Sequence, residues 1–351
     1  MLRATEGELL SSHTTLGLGG PAQLFVEPES ELELEEALRL AKDRGMPAFV
    51  LGGGSNVLVA DRGFEGLVLS TLRLDGFRFE PTRIGEMLIA RAGASLDACV
   101  AASIDRGLSG IESLSGIPGT IGATPIQNVG AYGQEVSETI VSVRAHDRRS
   151  LRFIELSKAD CQFSYRQSML KKDPDGFVVV EVRFALRRDP PTVRYPELAR
   201  ALDGRAVTVE AVREAVLSIR RSKSMVIEAS DENHRSVGSF FLNPIVDESV
   251  GDEVVAQSLR SGLATEESEV PRYPASPGRV KLSAAWLIER AGFVKGFRDG
   301  SVGVSSRHSL ALVHHGGGTT RELLELAERI RRGVREKFGV ELMREPIGLG
   351  V

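Results

Sequence analysis

Three side chains in this sequence have the chemistry to hold an anion or move a proton at a reacting carbon. Arg166 lies in Tyr165-Arg166-Gln167-Ser168, with Phe163, Met169 and Leu170 close by. That apolar company favours a partly buried guanidinium, and an unpaired buried charge is costly, so an anionic partner is expected. A substrate carboxylate or enolate would serve, and so would an ordinary surface ion pair. Ser239 lies in Gly238-Ser239-Phe240-Phe241-Leu242-Asn243-Pro244. It is not in a G-x-S-x-G elbow, so a nucleophile is not indicated. A turn residue or a proton donor remains: a hydroxyl is a poor acid in water, but it can protonate a strongly basic carbanion held within hydrogen-bond range. Glu345, in Leu342-Met343-Arg344-Glu345-Pro346, is either a charge on a terminal strand or a catalytic carboxylate. Arg220 and Lys223 fall at the end of a helical pattern, where cations are favoured by the helix dipole whether or not they meet a ligand. His314 and His315 are adjacent on a strand-like segment and would point to opposite faces, so no metal site is expected there or elsewhere.

Two glycine-rich stretches could cradle a ligand. Glu112 to Gly133 reads ESLSGIPGTIGATPIQNVGAYG, with Glu112 its only charged side chain. Gly116, Gly119, Gly122, Gly130 and Gly133 admit positive φ and close approach of another group, and successive backbone N–H groups in such a loop form an anion-binding concavity. Ser115, Thr120, Thr124, Gln127, Asn128 and Tyr132 suit a flat, polar, phosphate-bearing ligand. A glycine-rich packing crossover between sheets has the same composition. The second stretch follows the apolar segment Ala48–Leu51: Gly52-Gly53-Gly54-Ser55-Asn56. A glycine turn at the C-terminal end of a strand is where α/β proteins bind phosphates. Neither G-x-G-x-x-G nor G-x-x-x-x-G-K-[ST] occurs, so the dinucleotide fingerprint and the P-loop are excluded.

The elements that must position these groups follow from periodicity. Ser30 to Gly45 predicts an amphipathic helix capped by Ser30 and stopped by Gly45. With strands Ala48–Leu51 and Leu67–Ser70 it completes a βαββ lobe. Met87 to Ala92, Ile140 to His146 and Phe177 to Leu186 predict strands, and Ser95 to Arg106 a helix. Asp189 to Pro196 is a Pro-rich break. A domain boundary is placed near residue 205, giving a first unit 1–205 of two lobes (about 1–72 and 73–205) and a second unit 206–351. Helices are expected at Val209–Arg221, Leu282–Ala291 and Thr320–Phe338, and a strand at Leu310–Val313. Ser249 to Glu269 is expected to be acidic surface.

Hydrophobic content of 42%, charged content of 26% and a net charge of −4 describe an ordinary soluble chain and argue against a general nucleic-acid binder. Cys99 and Cys161 have neither paired-thiol nor metal spacing, and a reducing cytoplasm fits. No signal peptide is indicated, and no apolar run approaches the roughly 18 residues of a membrane helix.

LGGGSN together with SGIPGTIGATPIQNVGAYG resembles the UDP-N-acetylenolpyruvoylglucosamine reductases, flavoenzymes of peptidoglycan precursor synthesis, and further matches extend the resemblance from about Thr14 to Glu345. It implies an α+β fold: a two-lobed FAD-binding unit of the vanillyl-alcohol-oxidase (PCMH) type plus an α+β substrate-binding domain. It implies noncovalent FAD, held by Gly52, Gly53, Gly54, Ser55, Asn56, Ser115, Gly116, Ile117, Pro118, Gly119, Thr120, Gly122, Ala123, Gln127, Asn128, Gly130, Ala131, Tyr132 and Gly133. NADPH would be the hydride donor, and UDP-N-acetylglucosamine enolpyruvyl ether would be reduced to UDP-N-acetylmuramate. YRQS looks like the family's Tyr-Arg-x-Ser, whose Arg stabilises the enolate, and GSFFLNP like its Gly-Ser-Phe-Phe-x-Asn-Pro, whose Ser is the proton donor. Arg166, Ser239 and Glu345 would be catalytic; Tyr165, Tyr195, Arg220, Lys223 and Asn243 would bind substrate. Thr14-Thr15 replaces the usual Asn-Thr, and Pro346-Ile347 the usual Val-Arg-like pair. The partner would be the nucleotide sugar, without nucleic acid or membrane, for a cytoplasmic monomer. Two rivals carry other signatures: an oxygen-consuming flavin oxidase of the same fold, and a catalytically silent nucleotide-sugar binder.

Overall fold

The computed structural model describes residues 2–351, and the chain divides into two compact units. Unit 1 comprises residues 2–9, Pro21–Gly54 and Gly63–Ile227; unit 2 comprises Leu10–Gly20, Ser55–Arg62 and Glu228–Val351. Both mix helix and strand, as an α+β chain should.

Unit 1 carries two sheets. The first has the strand order Ala4–Glu6, Ala22–Val26, Phe64–Ser70, Ala48–Leu51, with the last three mutually parallel. Helix Glu31–Asp43 covers it. The Ser30 hydroxyl accepts from the Glu33 amide as its cap, and Leu34, Ala37, Leu38 and Ala41 face a core with Leu24, Val26, Leu67 and Leu69. Gly45, at φ 63°, ends the turn in the left-handed region, which a residue with Cβ adopts only at a cost. The second sheet is antiparallel, in the order Arg152–Ser157, Ile140–Asp147, Phe177–Arg187, Gly85–Arg91, Phe77–Pro81. Helix Leu96–Ile104, capped by Ser95, packs on it through Leu96, Cys99 and Val100. Burial pushes the Cys99 thiol up to about 12 and the Cys161 thiol to about 11, so both behave as small core residues.

Unit 2 has a four-stranded sheet, Ser236–Ser239, Ala311–His314, Val302–Val304, Arg298–Asp299, against which helix Thr320–Phe338 packs Leu323, Leu326, Ile330 and Val334. Thr319 and Glu322 form a reciprocal capping box, and the Asp61 carboxylate accepts from the Thr320 and Arg321 amides. A three-stranded sheet and helix Glu248–Arg260 complete the unit, and strand Val57–Val59 pairs in parallel with Ile347–Leu349.

Two features correct the sequence reading. The division falls at 227/228, not near 205, because helix Val209–Ser222 buries Ala211, Val212, Ala215 and Val216 against Leu198 and Leu202 of unit 1. Ser249 to Glu269 is not merely acidic surface: its first half is the helix just named, with Val254 and Val255 in the core.

His146, on strand Ile140–Asp147, is 1% exposed, and neither ring nitrogen finds a hydrogen bond. Its Nε2 is 3.7 Å from Glu35 Oε1 on helix Glu31–Asp43, and its ring stands edge-on to Phe153. Desolvation holds its pKa below the ordinary value, against the opposing pull of Glu35 and Asp147; His314 and His315 are lowered by desolvation too. The folded state therefore prefers neutral imidazoles. Their stability contribution is full above the unfolded pKa of roughly 6.5 and is lost as pH falls through the folded values. The thermal midpoint should decline from pH 7 to pH 5, and His146→Leu should flatten part of that slope. An unchanged slope in the variant would remove His146 from the account.

Candidate functional site

In unit 1 the glycine turn after strand Ala48–Leu51 lies directly against the central loop. A Cβ on Gly52 would sit 2.7 Å from Thr120 Oγ1, and one on Gly53 would sit 3.0 Å from the Gly119 Cα. The loop is pinned there by backbone bonds from Leu96 N to Gly119 O, Ile121 N to Ala94 O and Gly122 N to Ala92 O. Gly122 permits the last of these, since its Cβ would meet that of Ala92 at 2.7 Å. Thr120 Oγ1 is buried and has no hydrogen-bond partner. A buried hydroxyl is normally satisfied, so Thr120 Oγ1 beside this side-chain-free turn stands out from the rest of the loop.

Beyond Thr120 the loop is braced by its own polar residues. Ser115 Oγ donates to Glu112 O and Thr124 Oγ1 to Ile121 O. Glu112, 1% exposed, accepts from the Gly110 amide and from Gln134 Nε2, while Gln134 Oε1 accepts from Ser113 N. Asn128 spends its whole amide locally: Nδ2 donates to Glu135 Oε2 at 2.7 Å and to Ser164 O, and Oδ1 accepts from Ser137 N. Gly130–Ala131 and Gln134–Glu135 form a hairpin whose two turn residues, Tyr132 (φ 50°) and Gly133 (φ 80°), both have positive φ. That is the two-residue turn whose twist suits a hairpin, with a tyrosine where Asn or Gly is usual. The side chains of Ser115, Thr124 and Asn128 thus shape the loop, while Gly116, Ile117, Pro118, Gly119, Gln127, Gly130, Ala131 and Tyr132 are partly exposed along it.

Arg166 is tied to the same loop. Ser164 and Gln167 exchange backbone hydrogen bonds around a tight turn, with Arg166 at φ 54°. A non-glycine residue in this region is uncommon and is held there by its surroundings. The guanidinium donates to Gly130 O at 2.5 Å and Asn128 O at 3.3 Å and lies 5.3 Å from the Tyr165 ring centroid. Ser168 Oγ donates to Ile126 O and caps the short helix Met169–Lys172.

Tyr132, Tyr195, Arg220 and Lys223 are brought together. The Tyr132 and Tyr195 rings meet edge-to-face with centroids 5.6 Å apart. Arg220 is 7% exposed; it lies beside Tyr132 and donates to Met225 O, and its Nε is left without a partner. Desolvation lowers the Arg220 pKa, and desolvation pushes the Tyr132 phenol up to about 12. Asp97, which the sequence did not single out, accepts two bonds from Arg213 and one from the Gly116 amide, tying helix Val209–Ser222 to the loop. Lys223 Nζ lies 2.6 Å from Glu197 Oε2.

Unit 2 holds Ser55, Asn56, Ser239, Asn243 and Glu345. Ser239 ends the strand Ser236–Ser239, opposite Ala311, just after Gly238 at φ 73°. The C-terminal segment pairs antiparallel with the residues that follow it: Leu242 N donates to Met343 O, and Glu345 N donates to Phe240 O at 2.9 Å. Phe240, Phe241, Leu342 and Pro346 are buried, which fixes that register and leaves Ser239 and Glu345 partly exposed near one another. Asn243 Oδ1 accepts from Ala284 N at the start of helix Ala284–Arg290. The His308 amide donates to Ser305 Oγ in a turn that Asn233 braces through Ser306. His314 is structural: its Nδ1 meets Leu16 O and its Nε2 accepts from Gly318 N. Among the described residues there is no cluster of three or more His, Cys, Asp or Glu placed to hold a metal.

The fold and the glycine cradle define a flavin-binding oxidoreductase: the family model "FAD binding domain" matches residues 22–150, and the "UDP-N-acetylenolpyruvoylglucosamine reductase, C-terminal domain" model matches residues 230–349. A reductase of that name from Thermobifida fusca is 48% identical over 97% of each chain, and one from Streptomyces coelicolor is 46% identical over 97% of this chain and 89% of its own. The crystal structure of UDP-N-acetylenolpyruvylglucosamine reductase from Thermus caldophilus superposes with a TM-score of 0.66 at 26% identity, covering 99% of both chains. The chain belongs to the UDP-N-acetylenolpyruvoylglucosamine reductase family.

Proposed function

We propose that this chain reduces UDP-N-acetylglucosamine enolpyruvyl ether to UDP-N-acetylmuramate in peptidoglycan precursor synthesis, with FAD as cofactor and NADPH as hydride donor. The observation that carries the reading is the cradle of Gly52 and Gly53 against Gly119 and Thr120, with its orphan hydroxyl. It fits a phosphate-bearing flavin: the side-chain-free turn admits the pyrophosphate, and Thr120 Oγ1 gains the partner it lacks. Gly54, the backbone groups of Ser115–Tyr132 and Gln127 complete the holding set within unit 1. When bound, FAD supplies the hydride relay between NADPH and the enolpyruvyl group.

The chain's own residues supply the rest. Arg166, preset by its two carbonyl bonds, presents a fixed positive charge to the enolpyruvyl carboxylate and its developing enolate. Preorganised charge is the effective way to stabilise such an anion. Ser239 delivers a proton to the carbon next to the carboxylate, and Glu345 shares the charge and proton balance around it. Lys223 and Tyr195 receive the diphosphate, while Arg220 is set deeper and supports Tyr132. The described residues contain no helix long and apolar enough to cross a membrane, and we place the enzyme in the cytoplasm, acting as a monomer.

An anaerobic two-step absorbance experiment tests the whole reading. One equivalent of NADPH should bleach the oxidised flavin band, and the enolpyruvyl nucleotide sugar should then restore it. A band that stays bleached until oxygen enters would exclude this substrate.

A further inference from the structure

We propose that Glu197 is an internal competitor for the diphosphate site: it neutralises Lys223 in the free protein and must be displaced before a diphosphate can bind. The proposal rests on the diphosphate role given to Lys223 above. Lys223 Nζ and Glu197 Oε2 are 2.6 Å apart, and their side chains are 32% and 33% exposed, so an incoming anion can reach both.

The pair is imposed by packing rather than assembled by its own attraction. Helix Pro196–Ala201 is held by Leu198, which with Leu202 packs on Ala211, Val212, Ala215 and Val216 of helix Val209–Ser222. That contact brings the first turn of one helix to the C-terminal end of the other, where Lys223 is the C-cap residue. The carbonyl end of a 14-residue helix already favours a cation there, so Lys223 suits this position without Glu197. Two residues before Glu197, Tyr195 meets Tyr132 of the central loop edge-to-face. The carboxylate therefore sits on the same turn as a residue proposed to face the diphosphate.

A carboxylate carries one negative charge and two acceptor oxygens. A diphosphate brings more of both and can displace it, but the broken ion pair subtracts from the observed affinity. Partly exposed pairs of this kind change an equilibrium constant by up to about fivefold at low salt.

The test is calorimetric titration of the FAD-loaded enzyme with UDP at low ionic strength. Glu197→Gln should bind UDP about threefold to fivefold more tightly than the parent, with the gain shrinking as salt is added. Lys223→Gln should bind at least tenfold more weakly, and Glu197→Gln should give no gain in that background. Equal or weaker UDP binding by Glu197→Gln, with Lys223→Gln still impaired, overturns the competitor role and leaves the diphosphate reading standing. UDP binding that Lys223→Gln does not alter overturns both. Thermal midpoints of the variants identify any loss that comes from unfolding instead.

Discussion

Ser239→Ala is expected to leave flavin bleaching by NADPH intact and to slow reduction of the enolpyruvyl group by about 10²–10⁴-fold, the usual worth of a positioned proton donor. The substitution removes one oxygen and should leave the strand in place. Ser239 is partly exposed, its backbone pairs with Ala311, and the neighbouring register is fixed by buried Phe240 and Phe241 and by the Glu345 N to Phe240 O bond. The two half-reactions separate the roles. A donor needed only for protonation has no part in accepting hydride from NADPH, so the first rate should be unchanged. Equal loss in both would show that the change had disturbed flavin binding or folding. Stopped-flow absorbance at the oxidised flavin band measures both rates in one preparation.

Much of this arrangement was legible in the sequence because its physics is local. Helix Glu31–Asp43 needed only a capping serine, an apolar stripe and Gly45, and helix Thr320–Phe338 has the expected limits because a capping box and a left-handed glycine mark its ends. The glycine turn and the central loop stood out because uncharged glycine-rich segments are rare as solvent loops. What was not legible depends on partners distant in sequence. The amphipathic pattern of Val209–Ser222 predicts a helix with one buried face, but not that Leu198 and Leu202 cover it; hence the boundary near 205 instead of 227/228. Segments Leu10–Gly20 and Ser55–Arg62 are too short to announce their allegiance to unit 2. In Ser249 to Glu269 the acidic residues masked Val254 and Val255, which lie on the opposite face of a helix.

The site shows the same split. Arg220 reads as a cation at a helix end, which suggests a surface phosphate contact, yet it is 7% exposed and set beside Tyr132. Asn128 and Gln134 look alike as loop amides, but each is committed to a carboxylate, Glu135 and Glu112 respectively. Only coordinates distinguish an amide that braces a loop from one that meets a ligand. In this loop the bracing set is larger than composition suggests.

If the loop holds the flavin as proposed, its glycines matter more to the cofactor than its polar side chains. Gly53→Val should yield a folded protein that retains less than a tenth of the parent's FAD affinity, a loss of at least about 1.4 kcal/mol. The nearest obstacle to a Cβ at this position is the Gly119 Cα at 3.0 Å, followed by the Gly119 carbonyl carbon at 3.6 Å and Thr120 Cγ2 at 3.7 Å. Backbone cannot swing aside as a flexible side-chain end can, and the loop on that side is pinned by Leu96 N, Ile121 N and Gly122 N. The branched side chain must therefore push the turn and the loop apart or fill the cradle. Either response removes the close backbone approach on which phosphate binding depends. The core of Leu24, Leu34, Leu67 and Leu69 does not include the turn, so circular dichroism should report an intact fold. The ratio of flavin to protein absorbance after purification, and an FAD titration of the stripped protein, give the affinity. Full flavin occupancy in Gly53→Val would place the pyrophosphate elsewhere and would leave the orphan hydroxyl of Thr120 without its explanation.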